Sequence, residues 1–351
     1  MSRPPSCWSC ESTKIMVRFR MKKFLLLTLF NGWAVAQPTI SGCPAFPANN
    51  IWNVAVDHLP VHSQSAQYVA TVGAGAGLRL DDTIPINIAK APPKTDIAAI
   101  TTPESDPNPY GIPPNPAIET GVDGHLVVVD VSACILYELY AAKVSNGVWS
   151  AGSAAKWDLN SNALRPPVWT SADAAGLPIM PGVLRYSEVA AGSINHALRL
   201  SSPKTLYATP MWPARHCAAP PTNTDPSIPM MGQRFRLKAG FDISGFSPRV
   251  QIVLKALKRY GAMIADNGLP WSMQHDQDSR WEADDLLVLH QITGANMEAV
   301  DVSGLMSDSN SAIAGPAGGM VVVTDALGRP NAVKLGAGLA VINGTLVVVP
   351  R

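Results

Sequence analysis

Charge is scarce in this sequence. Only 15% of its 351 residues are Asp, Glu, Lys or Arg, and aromatic residues add 7%. No polybasic tail or long single-sign run occurs, which sets nucleic acid aside as a partner. An apolar fraction of 47% is equally far from a disordered polymer. No G-x-S-x-G elbow, H-E-x-x-H pair or phosphate-cradling loop is present, so serine esterases, zinc proteases and nucleotide-dependent enzymes lose their usual support. Neither a cofactor motif nor a strong metal-ligand spacing stands in their place; the nearest, His275-Asp276-Gln277-Asp278, matches no established calcium or zinc pattern. Any chemistry has to come from dispersed residues.

Turn formers are plentiful. With 31 prolines and 27 glycines the chain favours many short strands over long helices. Its start reads as a processing segment: Lys22 and Lys23, then the apolar run "FLLLTLFNGW" (24–33), then Ala34-Val35-Ala36 before Gln37. The run is too short for a membrane span, so the expectation is a soluble, secreted, monomeric protein. Met21 is the expected start, which removes Cys7-Trp8-Ser9-Cys10 from consideration as a metal or redox motif. Arg3, Lys14, Arg18, Arg20, Lys22 and Lys23 fall in this leader against Glu11 alone, leaving the remainder slightly acidic. Beyond it lie Cys43, Cys134 and Cys217. Export permits one disulfide, and Cys134–Cys217 is the expected pair because each adjoins a predicted ordered element while Cys43 sits in a turn-rich leading loop.

Five runs read as strands: "HLVVVDV" (125–131), "CILYELYAA" (134–142), "INHALRL" (194–200), "QRFRLKA" (233–239) and "GAMIAD" (261–266). The first two are separated by Ser132 and Ala133, a hairpin-length gap. Ser247, Pro248 and Gly261 bracket a predicted helix over 248–260, and Ser279-Arg280-Trp281-Glu282 opens a second toward His290. Proline-rich stretches at 103–116 and 210–229 cannot be central strands and read as ordered site walls. These signals predict a mainly β protein: residues 1–36 as leader, 37–302 as an antiparallel β-sandwich or jelly roll with two short helices at its edge, 303–319 as a small-residue linker, and 320–351 as a β-hairpin appendage.

The densest polar set is cationic and amide. It comprises Asn195, His196 and Arg199, then Arg215 and His216, then Arg234, Arg236 and Lys238. Such groups suit uronic acid polysaccharides: Asn195, Arg199 and Arg215 would neutralise the sugar carboxylate, His196 or His216 would abstract the adjacent proton, and Tyr186 would act as acid. Adjacent strand residues face opposite ways, so Asn195 and His196 share a site only at a strand end or bulge. The plainer explanations are a solvated strand face for Arg234, Arg236 and Lys238, and a satisfied core histidine for His196. An acidic set, Asp158, Asp173, Glu188 and Asp266, supplies the alternative, a hydrolase using two carboxyls across a sugar; Asp173 in "SADAAG" and Asp266 in "ADNG" also fit turn aspartates. Trp212 and Trp271, in Pro-rich or Gly-rich loops, are expected to be exposed and to stack on sugar rings.

The segments "NALRPPVWTSADAAGLPIMPGVLRYSEVAAGSINHALRL", "PMMGQRFRLKAGFDISGFSP" and "LKRYGAMIADNGLPW" resemble a family of secreted bacterial proteins without an assigned activity. The resemblance spans about residues 45–301 and implies an exported β-rich domain; it carries no site residue across. The functional expectation is a secreted polysaccharide-cleaving enzyme, a uronide lyase ahead of a glycoside hydrolase. The rival is a non-catalytic glycan-binding or cell-surface interaction module.

Overall fold

Pro85 decides how the two main sheets meet. The computed structural model describes residues 37–121, 123–307 and 310–313, and the backbone of four strands between 320 and 348; the leader expected over 1–36 lies outside the described residues. Arg79–Ile84 (β1) ends at Pro85 and Ile86–Ala89 (β2) starts beyond it. Proline has no N–H to give to a ladder, so the chain leaves one sheet and joins another there.

The second sheet has four strands. Leu126–Asp130 (β3), Ile135–Tyr140 (β4) and Ser153–Asp158 (β5) form the order β5-β4-β3-β2, with β2 and β3 parallel. The first sheet has six. Leu198–Ser202 (β6), Arg234–Leu237 (β7), Ala262–Asn267 (β8), Ser272–Asp276 (β9) and Met297–Ala299 (β10) join β1 in the order β10-β7-β8-β6-β9-β1. β6 runs parallel to β8, and β9 parallel to β1. Four α-helices accompany the sheets: Ser65–Val72 (α1), Tyr186–Ala190 (α2), Pro248–Arg259 (α3) and Ala283–Leu287 (α4).

α3 forms where the sequence signals it. Ser247 Oγ accepts from Val250 N–H at 3.3 Å, and Val250, Val253, Leu254 and Leu257 are buried. Gly261 stops the helix at φ +64°, where a Cβ would sit 2.0 Å from the Phe235 carbonyl oxygen. Only glycine lets β8 start so close to β7.

This arrangement corrects the expected antiparallel sandwich or jelly roll with two helices. The fold is mixed α/β, with four α-helices, parallel as well as antiparallel pairs, and three sheets of two or three strands beside the main two among residues 37–313. The physical cause is visible in β3. Every residue of "LVVVD" is buried, Val127 and Val129 in the main core and Leu126 and Val128 in a second core with Tyr110 and Trp149. A strand covered on both faces belongs to a layered α/β body rather than to a sandwich with one wet side.

The disulfide expectation is also corrected. Cys43 pairs with Cys134, Cα–Cα 5.4 Å, and Cys217 is free. The leading loop is not a loose wrapping: Trp52 is fully buried, and Cys43 lies beneath the turn between β3 and β4. Trp212 and Trp271 are buried as well, at 6% and 0% exposure, against the expectation of exposed stacking faces. Their indole N–H groups donate to the Asn310 and Gly73 carbonyls, 2.9 and 2.8 Å. Each ring pins its Pro- or Gly-rich loop to the body. Arg234 and Arg236, expected on a solvated face, are buried, because β7 is flanked by β8 and β10 and covered by Ile51 to Leu59.

Within the segment read as a linker, Ser311 is buried and accepts from Ile51 N–H at 2.9 Å. Farther on, Met320–Thr324 pairs with Pro330–Lys334 and Leu339–Ile342 with Thr345–Val348, both antiparallel. No described helix is long and apolar enough to cross a membrane.

Candidate functional site

Most of the sequence-predicted residues gather at three cavities. The run "GSINHALRL" is a strand only from Leu198 onward, so Asn195 and His196 precede the ladder and Arg199 lies within it. His196 is fully buried, with Nδ1 at 2.8 Å from the Ala197 carbonyl and Nε2 at 3.0 Å from Glu188 Oε2 and 3.1 Å from Arg185 Nη2. Both ring nitrogens are occupied by the protein. Burial alone would raise the Glu188 carboxyl, but Arg185 and His196 outweigh it and hold it down to about 2. Asn195 shares a cavity with Glu188 and Arg185, while the Tyr186 ring lies under Arg280 and edge-on to Trp281. Asp158 caps its own turn, accepting from Asn160 N–H at 2.9 Å.

Arg215, His216 and Trp212 line a second cavity, of about 770 Å³. Arg199 and Asp266 line a third, of about 270 Å³, and Asp173 reaches Arg199 from behind it.

This third cavity is the most elaborated. It opens beyond the C-terminal ends of the parallel pair β6 and β8, where Ser201 stands opposite Asp266 and Ser202 opposite Asn267. Parallel strands ending together leave a crevice that the next turn has to close. Here Gly268 and Leu269 close it, and β9 returns along the other side with Ser272 and Gln274. Asp123 comes from the loop before β3 and stands exposed at the mouth. Its carbonyl accepts from Ala141 N–H at 2.8 Å, and the loop is clipped by Glu119 and His125, whose carboxylate and Nδ1 are 2.6 Å apart. Burial would lower the His125 pKa; Glu119 outweighs it and raises it.

Charges are packed tightly at the floor. Arg199 Nη2 donates to Asp173 Oδ2 at 2.7 Å, and both residues are buried. Burial raises the Asp173 carboxyl even with Arg199 beside it. Asp266 is pushed up to about 6, first by burial and then by the Asp173 and Asp123 charges, which together exceed the pull of Arg199. Its Oδ1 accepts from Asn267 N–H at 2.7 Å. Ser272, Gln274 and Arg199 line the cavity, and Ser272 Oγ, Gln274 Oε1 and Arg199 Nε are buried with no hydrogen-bond partner among the described residues. Buried polar atoms without partners are costly in a structural core and expected where a ligand completes them.

Beneath lies Glu138, a fully buried carboxylate in β4 that accepts from Ile179 and Met180 N–H and from Trp157 Nε1, all between 2.9 and 3.1 Å. It fixes the turn whose Gly182 packs on Arg199: a Cβ there would lie 3.0 Å from Arg199 Cβ. Sequence reasoning missed Asp123, Ser272, Gln274 and Glu138. A lone glutamate inside the apolar run "CILYELYAA" is a signal that could have been used. Among the described residues no three His, Cys, Asp or Glu side chains converge as metal ligands. No protein-family model, curated protein or solved structure matches the chain.

Proposed function

We propose that the protein is a secreted glycoside hydrolase acting on a polysaccharide, with its reaction centre in the cavity between β6, β8 and β9. The observation that carries this reading is the juxtaposition, at one small crevice, of a carboxyl held at about 6, a second carboxylate at the mouth and residues whose buried hydrogen-bonding atoms have no partner among the described residues. Asp266 is the proton donor to the glycosidic oxygen, because burial and the neighbouring carboxylates favour its neutral form. Asp123, exposed to water, is the ionised partner that stabilises the developing cation or activates water. Ser272, Gln274 and Ser201 match the alternating donors and acceptors of sugar hydroxyls. Arg199 and Asp173 fix the field around Asp266.

Charge supports the hydrolase over the lyase. Arg199, the cation on the wall, is already paired with Asp173 behind it, and Asp123 stands at the mouth, which disfavours a uronide carboxylate. Of the two candidate lyase bases, His196 has both nitrogens engaged inside the protein, and His216 lines the second cavity instead of this one. A binding module resting on Trp212 and Trp271 lacks its stacking faces, both rings being buried.

The test is a screen of the purified protein on neutral and acidic polysaccharides, reading reducing ends and unsaturated-product absorbance together. New reducing ends without unsaturated product, abolished in Asp266→Asn and Asp123→Asn, are expected. Unsaturated products, or full turnover in Asp266→Asn, would refute the assignment.

A further inference from the structure

The second cavity contrasts with that of the reaction centre. Its mouth is framed by Val168, Tyr207 and Met306, exposed at 70%, 52% and 42%. Large apolar side chains gathered at one opening mark a place where something apolar is covered. Val168 adds an independent sign. It has φ +64°, a left-handed conformation that a β-branched residue adopts only under constraint, and it is held there by its N–H bond to the Arg215 carbonyl at 2.9 Å. The constraint presents an apolar side chain to solvent at the lip of the cavity.

The wall also carries a guanidinium and an imidazole, from Arg215 and His216. Arg215 Nε donates to the Arg165 carbonyl at 3.0 Å, which fixes the guanidinium plane, and the two terminal nitrogens have no protein partner among the described residues. His216 Nδ1 lies 2.7 Å from the Ala174 carbonyl, an acceptor only, so Nδ1 carries the proton; Nε2 has no partner among the described residues. The one carboxylate on the wall, Glu104, is tied to Thr170 N–H at 3.0 Å. A fixed guanidinium fork with both ends available matches a carboxylate.

We propose that this cavity is a second ligand site, for an aromatic carboxylate bound with its charged end on Arg215 and its ring against Tyr207, Met306 and Val168. A free sugar acid satisfies the guanidinium but leaves the apolar mouth uncovered; a neutral aromatic covers the mouth but leaves the guanidinium unmatched. The site is separate from the reaction centre. Its backbone contact with that centre is the segment after Asp173, since Arg215 N–H donates to the Ala175 carbonyl at 2.9 Å.

Cys217, a free and partly exposed thiol on the same wall, supplies the readout. The full-length protein is alkylated with iodoacetamide in the presence of 3-phenylpropanoate, its amide, acetate or galacturonate, and the rate at Cys217 is read from its own peptide by mass spectrometry. The acid slows alkylation of Cys217 in a saturable way, while the amide, acetate and galacturonate leave the rate unchanged. Arg215→Gln weakens the protective affinity by about tenfold or more, the loss expected for charge-assisted hydrogen bonds. Met306→Ala weakens it without altering the preference for acid over amide, and serves if Arg215→Gln does not fold. Equal protection by the amide overturns the guanidinium contact, and equal protection by galacturonate overturns the apolar mouth. No protection by any of the four compounds overturns the site.

Discussion

Replacing Asp266 by Asn should make the protein more stable at neutral pH and inactive as a hydrolase. The carboxyl moves from 3.8 to about 6 on folding. At 1.36 kcal/mol per unit, ionising it inside the folded protein costs about 3 kcal/mol. The sign follows from proton binding: between those values the folded state holds the proton and the unfolded state does not, so stability falls as pH rises toward about 6 and the full cost is present above it. Asn keeps the shape and cannot ionise. The stability difference between Asp266→Asn and wild type, from urea unfolding, should therefore be small near pH 4 and grow to about 3 kcal/mol in favour of the variant by pH 7.5.

Part of that cost is the Asp173 charge. Adding Asp173→Asn should shrink the gain from Asp266→Asn, so the two substitutions are non-additive in a double-mutant cycle. Turnover should drop about 10²- to 10⁴-fold in Asp266→Asn. Wild-type kcat/KM should itself decline as pH climbs through about 6, where the acid loses its proton. A variant that gains stability while losing turnover carries the mark of a group kept for function at structural expense. A stability difference that does not change with pH would refute the electrostatic account, and one that shrinks as pH rises would reverse its sign.

Other expectations concern the frame around the site. Glu188→Gln should lower stability at pH 7 by roughly 3 kcal/mol; because folding depresses this carboxyl from 4.5 to about 2, the wild-type advantage should be complete above about pH 4.5 and vanish as pH falls through 2. His196→Gln should cost about 2 kcal/mol in chemical unfolding by breaking the buried contacts to Glu188 and Ala197, while the folded fraction keeps its turnover. Removing both Cys43 and Cys134 as serines opens a link across 91 residues and should cost roughly 2–4 kcal/mol in the same assay. Arg234→Met should leave stability within about 1 kcal/mol of wild type or raise it, since this buried guanidinium has no acidic partner among the described residues and is pushed down to about 9 by burial alone.

The local elements were largely legible because their signals are local. The five strand runs each overlap a strand, "INHALRL" only from Leu198, and α3 begins after Ser247 and ends before Gly261. The layering was not. "LVVVD" names a strand but does not say which sheet it joins, and the parallel pairing of β6 with β8 spans the whole of β7 and α3. α1 and α2, with eight and five residues, are too short for their periodicity to stand out from the turns around them. The Cys43 pairing depends on where the leading segment docks, which nothing near Cys43 in the chain specifies.

The stretch "GSINHALRL" shows why the site was only partly readable. Alternation assigns residues to two faces of a strand, and it works when one face is wet. Before Leu198 there is no strand, so Asn195 and His196 answer to the turn after α2, where Glu188 and Arg185 take up the histidine. After Leu198 the strand lies between β8 and β9 with Leu198, Arg199 and Leu200 all buried, so no face is wet and polarity no longer reports exposure. Polarity there reports a partner instead. Arg199 is tolerated in the interior because Asp173 meets it, Asp173 because the turn after Ser171 holds it, and Asp266 carries the residual cost as a raised pKa. A short sequence window therefore identifies Arg199 as out of place, and only the sheet order shows that it stands beside Asp266 at the end of β8.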